Sequence, residues 1–425
     1  MEETYKTPEL VASTHNTYGC SITESQNRED ALLEVSCSKP ERLKKGQVDK
    51  DESNYFKAAQ WLSPDGTSIL TSNADNIIRT FIIPPNLLSS AELIRLTSYT
   101  RHKNPAPVNC LLTYPLFDLS SPSTTLYLST PNGFPIRLLN ALSPTPEIVS
   151  TYNLISETTE SYITPASKAF LSQSQFFTGS DCLITLFDLS QNGSGPLVRL
   201  PTIPSKRHRI KGGGVGMRGI VSSLAVQLDQ NETLAAGTWT RWVGLYDAGG
   251  LGGTIANWSV AQAADEVAGI GGSGISQVKW SKCGRYLCVA ERMSNGLMIF
   301  DVRVTGKLLA WLEGRKAFTN QRLGVDLFQA ESGIEIWAGG IDGVVRVWEN
   351  IGLKSGALES DWEWLAHDDP VTSTAVHMSG TVVATCSGQR SLSTLYESSE
   401  NESRSNSPSY ENSSPFDNSL KLWRL

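Results

Sequence analysis

Residues 61–81 read WLSPDGTSILTSNADNIIRTF, and the spacing inside this stretch decides the fold. Ser63-Pro64-Asp65-Gly66 is turn chemistry, with Pro fixing φ at one corner and Gly easing the exit. Asp75 opens a second turn, where its carboxylate can bond its own backbone. The strand that follows turns alternate side chains to opposite faces. Phe81, six positions after Asp75, adds a large apolar surface at its end. Three other segments share this register: Asp181–Phe187, Asp342–Trp348 and Asp417–Trp423. Two more keep the spacing without the Asp, from Thr240 to Tyr246 and from Ser294 to Phe300. Gly133–Leu139 has lost both end residues but still reads as turn and strand.

Matching strand pairs lie upstream. In the first copy Tyr55–Trp61 faces Thr67–Asn73 across the Ser63–Gly66 turn; in the fifth, ISQVKW and RYLCVA flank Ser281–Gly284. The strand ends at 81, 139, 187, 246, 300, 348 and 423 are spaced more widely than the repeat of about 40–45 residues typical of WD-repeat blades, so several loops must be extended. The fold class expected is therefore all-β, a seven-bladed WD-repeat β-propeller. Trp423 stands near the end of the sequence, so the last blade has too few strands of its own. A strand preceding Tyr55 must complete it and hide the open edge, and Ala31–Ser36 (ALLEVS) is the segment expected to do so. The domain reading is a polar, disordered tail over residues 1–30, a propeller over 31–425, and a Ser-, Glu- and Asn-rich disordered insertion at 391–415 within the last blade.

Composition narrows the function classes. The 425 residues carry 43 acidic and 36 basic side chains, a net −7, which disfavours a wholly basic nucleic-acid binder and leaves only local basic patches to meet phosphate. The seven cysteines form no CxxC pair and no metal-ligand spacing, which suits a reducing compartment. No apolar run approaches membrane-spanning length, and the N-terminal MEETYKTPEL lacks a signal-peptide profile. His15, His102, His208, His367 and His377 form no HExxH. KGGGVGMR lacks the GK[ST] ending of a phosphate loop, and there is no GxSxG elbow. His367-Asp368-Asp369 resembles an acid/base cluster but reads more readily as a polar turn between blades. No enzyme activity, cofactor, metal or small-molecule substrate is expected.

Five strings carry a more specific resemblance: WLSPDGTSILTSNADNIIRTFIIPPNLL (61–88), NGFPIRLLNA followed by TYNLISE (132–157), GTWTRWVGLYD (237–247), TNQR (319–322) and ATCSGQR (384–390). In this order they resemble the WD-repeat family of the telomerase Cajal body proteins and its fungal relatives. Leu139 departs from the family's usual Trp, and the common GH dipeptide is missing. The resemblance implies a non-enzymatic RNA-binding scaffold. Its partners would be small nuclear or Cajal-body RNAs, telomerase RNA-like or spliceosomal, and ribonucleoprotein proteins. The role implied is ribonucleoprotein localisation or biogenesis in the nucleus, in a Cajal-body-like compartment, with the cytoplasm a second compartment. A protein–protein adaptor in splicing or chromatin assemblies is the alternative.

Topology indicates where RNA would bind. In a four-stranded antiparallel blade the b–c turn lies at the same end as the connection to the next blade. Leu189–Leu228 contains no Asp or Glu but holds Lys206, Arg207, Arg209, Lys211 and Arg218, most of them in PSKRHRIKGGGVGMRG. Cationic side chains attract phosphate oxygens there, and glycines let backbone N–H groups approach. Trp239 could stack on an unpaired base with Arg241 alongside. Arg292, Asn320, Gln321, Arg322, Gln389 and Arg390 fall in loops at the same end, where amides can read base edges. For each of these residues, bracing of a loop or packing beneath it is the competing role.

Overall fold

The computed structural model describes residues 7–18, 54–205, 207, 216–227, 232–249, 252–389 and 417–425. They form seven sheets whose neighbours pack in a closed ring, a seven-bladed propeller. Blade 1 is Phe56–Trp61, Ser68–Asn73, Ile77–Ile82 and Thr100–Lys103, here strands a to d from the centre outward. Blades 2 and 3 repeat the order over residues 108–152 and 167–201. Blade 4 is Val221–Gln227, Thr233–Thr238, Trp242–Asp247 and Thr254–Ser259; blade 5 is Ile275–Trp280, Tyr286–Glu291, Leu297–Asp301 and Leu308–Leu312. Blade 6 is Val325–Gln329, Ile334–Gly339, Val344–Trp348 and Trp362–Leu365.

Blade 7 takes strands a to c from Val371–Val376, Val382–Ser387 and Leu420–Arg424, and strand d from Glu9–Ser13. The closing strand therefore precedes the expected one, and Ala31–Ser36 lies outside the described residues. Residues 9–18 belong to the propeller rather than to a tail. The physical reason is a bulge: Leu10 pairs with Trp423 and Ala12 with Leu422, so Val11 is an extra residue in the ladder. That extra residue breaks the alternation by which so short a strand would be recognised. Tyr18 then anchors the segment. Its ring meets Phe56 and Phe81 edge-on and carries the Arg79 guanidinium 4.9 Å above its face. The insertion at 391–415 lies outside the described residues.

The core is divided among the blade interfaces. Each of seven clusters of buried apolar side chains joins residues of two adjacent sheets. Burying one such side chain contributes about 1.5–3 kcal/mol. The terminal aromatics Phe81, Phe187, Phe300 and Trp348 are at most 1% exposed, and Leu139 fills the equivalent place in blade 2 at 2%. Indoles on strand a tie neighbouring blades together. Trp61 donates to the Ala375 carbonyl (2.9 Å) and Trp280 to that of Ala225 (3.1 Å).

The turn aspartates also pin the strand that follows. Asp75 holds Arg79, Asp342 holds Arg346 and Asp417 holds Lys421, each pair four residues apart. In blade 7 this grows into a relay. His367 Nδ1–H donates to Asp417 Oδ2 (3.1 Å) and its Nε2 accepts from Thr385 Oγ1 (2.8 Å); that oxygen accepts the Trp423 indole N–H (2.8 Å). The His367-Asp368-Asp369 string is thus part of the blade's framework. Burial holds the His367 imidazole below its ordinary value, against the raising influence of Asp417. Burial would raise the Asp417 carboxyl, but hydrogen bonds from His367, Lys421 and Ser419 hold it well below the usual range.

Candidate nucleic-acid interface

Strands alternate in direction within each blade, so the b–c turns and the inter-blade connections share one end, the upper rim. The candidate residues fall on it as follows. Arg207 and Arg218 lie in the connection from blade 3 to blade 4, Trp239 and Arg241 in the b–c turn of blade 4, and Arg292 in that of blade 5. Asn320, Gln321 and Arg322 lie in the connection from blade 5 to blade 6, and Gln389 follows strand b of blade 7. Lys206, Arg209, Lys211 and Arg390 lie outside the described residues.

Trp239 is 46% exposed and does not pack beneath its loop. Its backbone is clamped instead: Gly274, at φ +147°, comes so close that a Cβ there would sit 2.8 Å from the Trp239 carbonyl oxygen. The indole carries Arg292, whose guanidinium carbon lies 4.9 Å from the ring centroid. Burial lowers the Arg292 guanidinium from its ordinary value, and its Nε has no hydrogen-bond partner among the described residues. A half-exposed indole backed by a cation is a flat stacking platform with positive charge at its side.

Arg241, two residues on, differs. It forms two hydrogen bonds with Asp265 (2.7 and 2.9 Å) and two with the buried Glu291 (2.9 and 3.0 Å). Burial would lower its guanidinium, but these carboxylates raise it further. Burial in turn raises the Glu291 carboxyl, against the pull of Arg241. Arg241 is an architectural cation, committed to carboxylates rather than open to phosphate.

The TNQR and SGQR strings meet. Gln321 Nε2–H donates to the Gly388 carbonyl (2.7 Å), bridging the 5–6 connection to blade 7. Gln389 Nε2–H donates to Asp369 Oδ1 (3.2 Å), while Asp369 Oδ2 accepts the Asp417 backbone N–H (2.7 Å). Both amides therefore brace the rim. Asn320 and Arg322 are exposed. Surrounding protein lowers the Arg322 guanidinium; Cys110 raises it in part and the positive charge of Arg292 lowers it again. Arg207 is exposed, and Arg218, half-buried, offers its carbonyl to the Thr240 hydroxyl (2.6 Å).

Sequence reasoning missed Phe318. It is 60% exposed and immediately precedes TNQR, beside a groove of about 620 Å³ that it forms with Ile270, Asn295, Lys316 and Ile341. An aromatic between Ala317 and the polar string was the available signal, but a lone Phe reads first as core. The rim also carries acidic groups, Asp265, Glu266, Asp342 and Asp369. Its positive charge is therefore local. Among the described residues no group of three His, Cys, Asp or Glu side chains could hold a metal ion.

The fold is that of a seven-bladed WD-repeat β-propeller. No family model matches the chain. It is 26% identical over 304 residues to Guanine nucleotide-binding protein negative regulator 1 of Schizosaccharomyces pombe, covering 70% of this chain and 71% of that protein. It is 29% identical over 344 residues to Telomerase Cajal body protein 1 of Rattus norvegicus, covering 79% of this chain and 59% of that one. Protein SWT21 of Vanderwaltozyma polyspora is 24% identical over 311 residues, covering 70% of this chain and 68% of the relative. The chain is thus similar over most of its length to a telomerase Cajal body protein and to these fungal proteins, in keeping with the resemblance its motifs carry. It spans less than two thirds of the length of the rat protein.

Proposed function

We propose that the protein is a scaffold that binds small nuclear or Cajal-body RNA on its upper rim, and that it serves the localisation or biogenesis of the corresponding ribonucleoproteins in the nucleus. The observation that carries this reading is the Trp239–Arg292 platform, an indole and a guanidinium 4.9 Å apart on a rim shared with the exposed Arg322 and Arg207. Stacking on an aromatic face and contact with guanidinium groups are the usual means of holding unpaired nucleotides. The acid-free Leu189–Leu228 segment, whose described Arg207 and Arg218 lie at the same end, adds a source of phosphate contacts. Similarity to a protein named for telomerase and the Cajal body supports the choice of RNA class. The test is ultraviolet cross-linking in cells, with sequencing of the recovered RNA and mapping of the cross-linked peptides. The expected result is enrichment of small nuclear or Cajal-body RNA, with cross-links to the connections around Arg207, Trp239 and Arg322. Recovery of no such RNA, or cross-links confined to the opposite face, would refute the reading.

A further inference from the structure

The opposite end of the propeller carries a groove of different chemistry. It holds about 500 Å³ between blades 6 and 7, and among the described residues no lysine or arginine lines it. Its walls include Phe328, Glu331, Glu335, Trp337, Trp362 and Met378.

Three features set it apart from a merely solvated furrow. Met378 is 69% exposed at the tip of the a–b turn of blade 7. It is also held there: His377 Nε2–H donates to the Pro64 carbonyl (3.0 Å), and its Nδ1 accepts from Ser379 Oγ (2.8 Å). At φ +70°, Gly380 lets the same turn close on the Phe328 ring, since a Cβ there would lie 2.8 Å from that ring. The turn is thus held in place, and it presents a flexible, polarizable thioether at the groove's edge.

The second feature is the aromatic wall. Trp337 and Trp362 meet edge-on with centroids 5.1 Å apart. Each indole N–H is given to a carboxylate, Trp337 to Glu335 Oε2 (2.8 Å) and Trp362 to Glu349 Oε1 (2.9 Å). Trp337 is buried and one face of Trp362 stacks on Trp364 (5.5 Å), so the half-buried Trp362 has its other face left for the groove, and such a face attracts cations.

The third is negative charge with no cation among the described lining residues. Burial raises the Glu335 carboxyl; the Trp337 hydrogen bond opposes this, and the charge of Glu349 raises it further. The exposed Glu331 adds another carboxylate at the lip. A cation placed here gains from every wall at once.

We propose that this groove is a second binding site, which takes a short arginine- or lysine-containing segment of a partner protein. The segment's apolar side chain rests on Met378 and Phe328, and its cation lies against Glu331, Glu335 and the Trp362 face. Arginine suits the site better than lysine, because its planar group both stacks on indole and pairs with carboxylate. The site lies at the opposite end from the proposed RNA rim and does not depend on it.

Fluorescence anisotropy on the RNase-treated full-length chain tests this. The probe is a fluorescein-labelled short peptide of alternating arginine and leucine, and the control replaces every arginine by glutamate. The arginine peptide is expected to bind at least about tenfold more tightly than the control. Glu331→Lys combined with Glu335→Gln should weaken it by about tenfold or more while leaving the urea midpoint unchanged, because glutamine still accepts the Trp337 N–H. Glu331→Lys alone, at an exposed position, should weaken binding in the same direction without risk to the fold. Trp239→Ala should leave the peptide affinity unchanged. Equal binding of the two peptides, binding of neither, full affinity in the Glu331 and Glu335 variants, or loss of affinity in Trp239→Ala would overturn the proposal.

Discussion

Trp239 and Arg241 stand two residues apart in one turn, and truncating each to alanine should give opposite phenotypes. Arg241→Ala removes the partner of Glu291, whose side chain is fully buried, and releases the half-exposed Asp265. Removing one member of a buried ion pair costs about 3–5 kcal/mol, chiefly because the other charge stays buried alone. Trp239→Ala removes a ring that is 46% exposed and breaks no hydrogen bond, and it opens the Arg292 guanidinium to water, so a loss under about 1 kcal/mol is expected. For RNA the order reverses. Loss of a stacking ring costs about 1–3 kcal/mol per base, or roughly a 5- to 150-fold loss of affinity. Urea unfolding followed by circular dichroism gives the first quantity, and anisotropy with a labelled RNA recovered by cross-linking gives the second. Arg241→Ala should shift the midpoint strongly, and once folded it should bind RNA close to normally. The reasoning fails if Arg241→Ala unfolds like the parent, or if Trp239→Ala costs as much stability as Arg241→Ala and leaves RNA affinity intact.

Three further outcomes follow from the same structure. Thr385→Val keeps shape but strips His367 Nε2 and the Trp423 indole N–H of their shared partner, and each orphaned buried group costs about 1–3 kcal/mol, so a lowered urea midpoint at unchanged slope is expected. Stability should fall on the acid side in two stages: the unfolded chain takes up the His367 proton first, below its ordinary 6.5, and then the Asp417 proton, below 3.8, because both folded values are depressed. Thermal unfolding measured across this range should show Asp417→Asn diminishing the lower stage, to which other carboxylates held below their ordinary range, such as Asp342, also contribute. Ala12→Pro, at a position of the closing strand Glu9–Ser13 paired with both Leu422 and Ile94, should lower the unfolding temperature, as thermal unfolding would show.

Most of the ring was legible because its signal is periodic and chemically redundant. An Asp, an alternating strand and an aromatic six residues later recur at Asp75, Asp181, Asp342 and Asp417, and each element has its own physical cause. Even where both end residues were lost, at Gly133–Leu139, the apolar side chain alone kept the strand in register. The closing strand was not legible. Five residues hold too few alternations to stand out, and the bulge at Val11 removes one of them, while ALLEVS shows a cleaner pattern. What selects Glu9–Ser13 is tertiary: an open ladder on Leu420–Arg424, and a site for Tyr18 under Arg79.

The rim was legible as a place but not as a set of roles. Strand direction alone assigns every candidate to the b–c turns and inter-blade connections, because that follows from counting strands. Which of two cations faces solvent does not follow from counting. Arg241 and Arg292 are each an arginine beside a strand end, yet one meets Asp265 and Glu291 and the other meets the indole of Trp239. The difference lies in a carboxylate 50 residues away, and no local pattern encodes it. The same holds for Gln321, which reads as a base-reading amide until Gly388 is found 2.7 Å from its nitrogen. A rim built this way divides its polar residues between holding the blades together and meeting a ligand. Residues that brace should lose stability and binding together when removed, and residues that bind should lose binding alone. Phe318, exposed and unannounced by any motif, is where that division is sharpest: nothing in the fold requires an aromatic there, so its removal should be silent in unfolding and visible only when RNA is present.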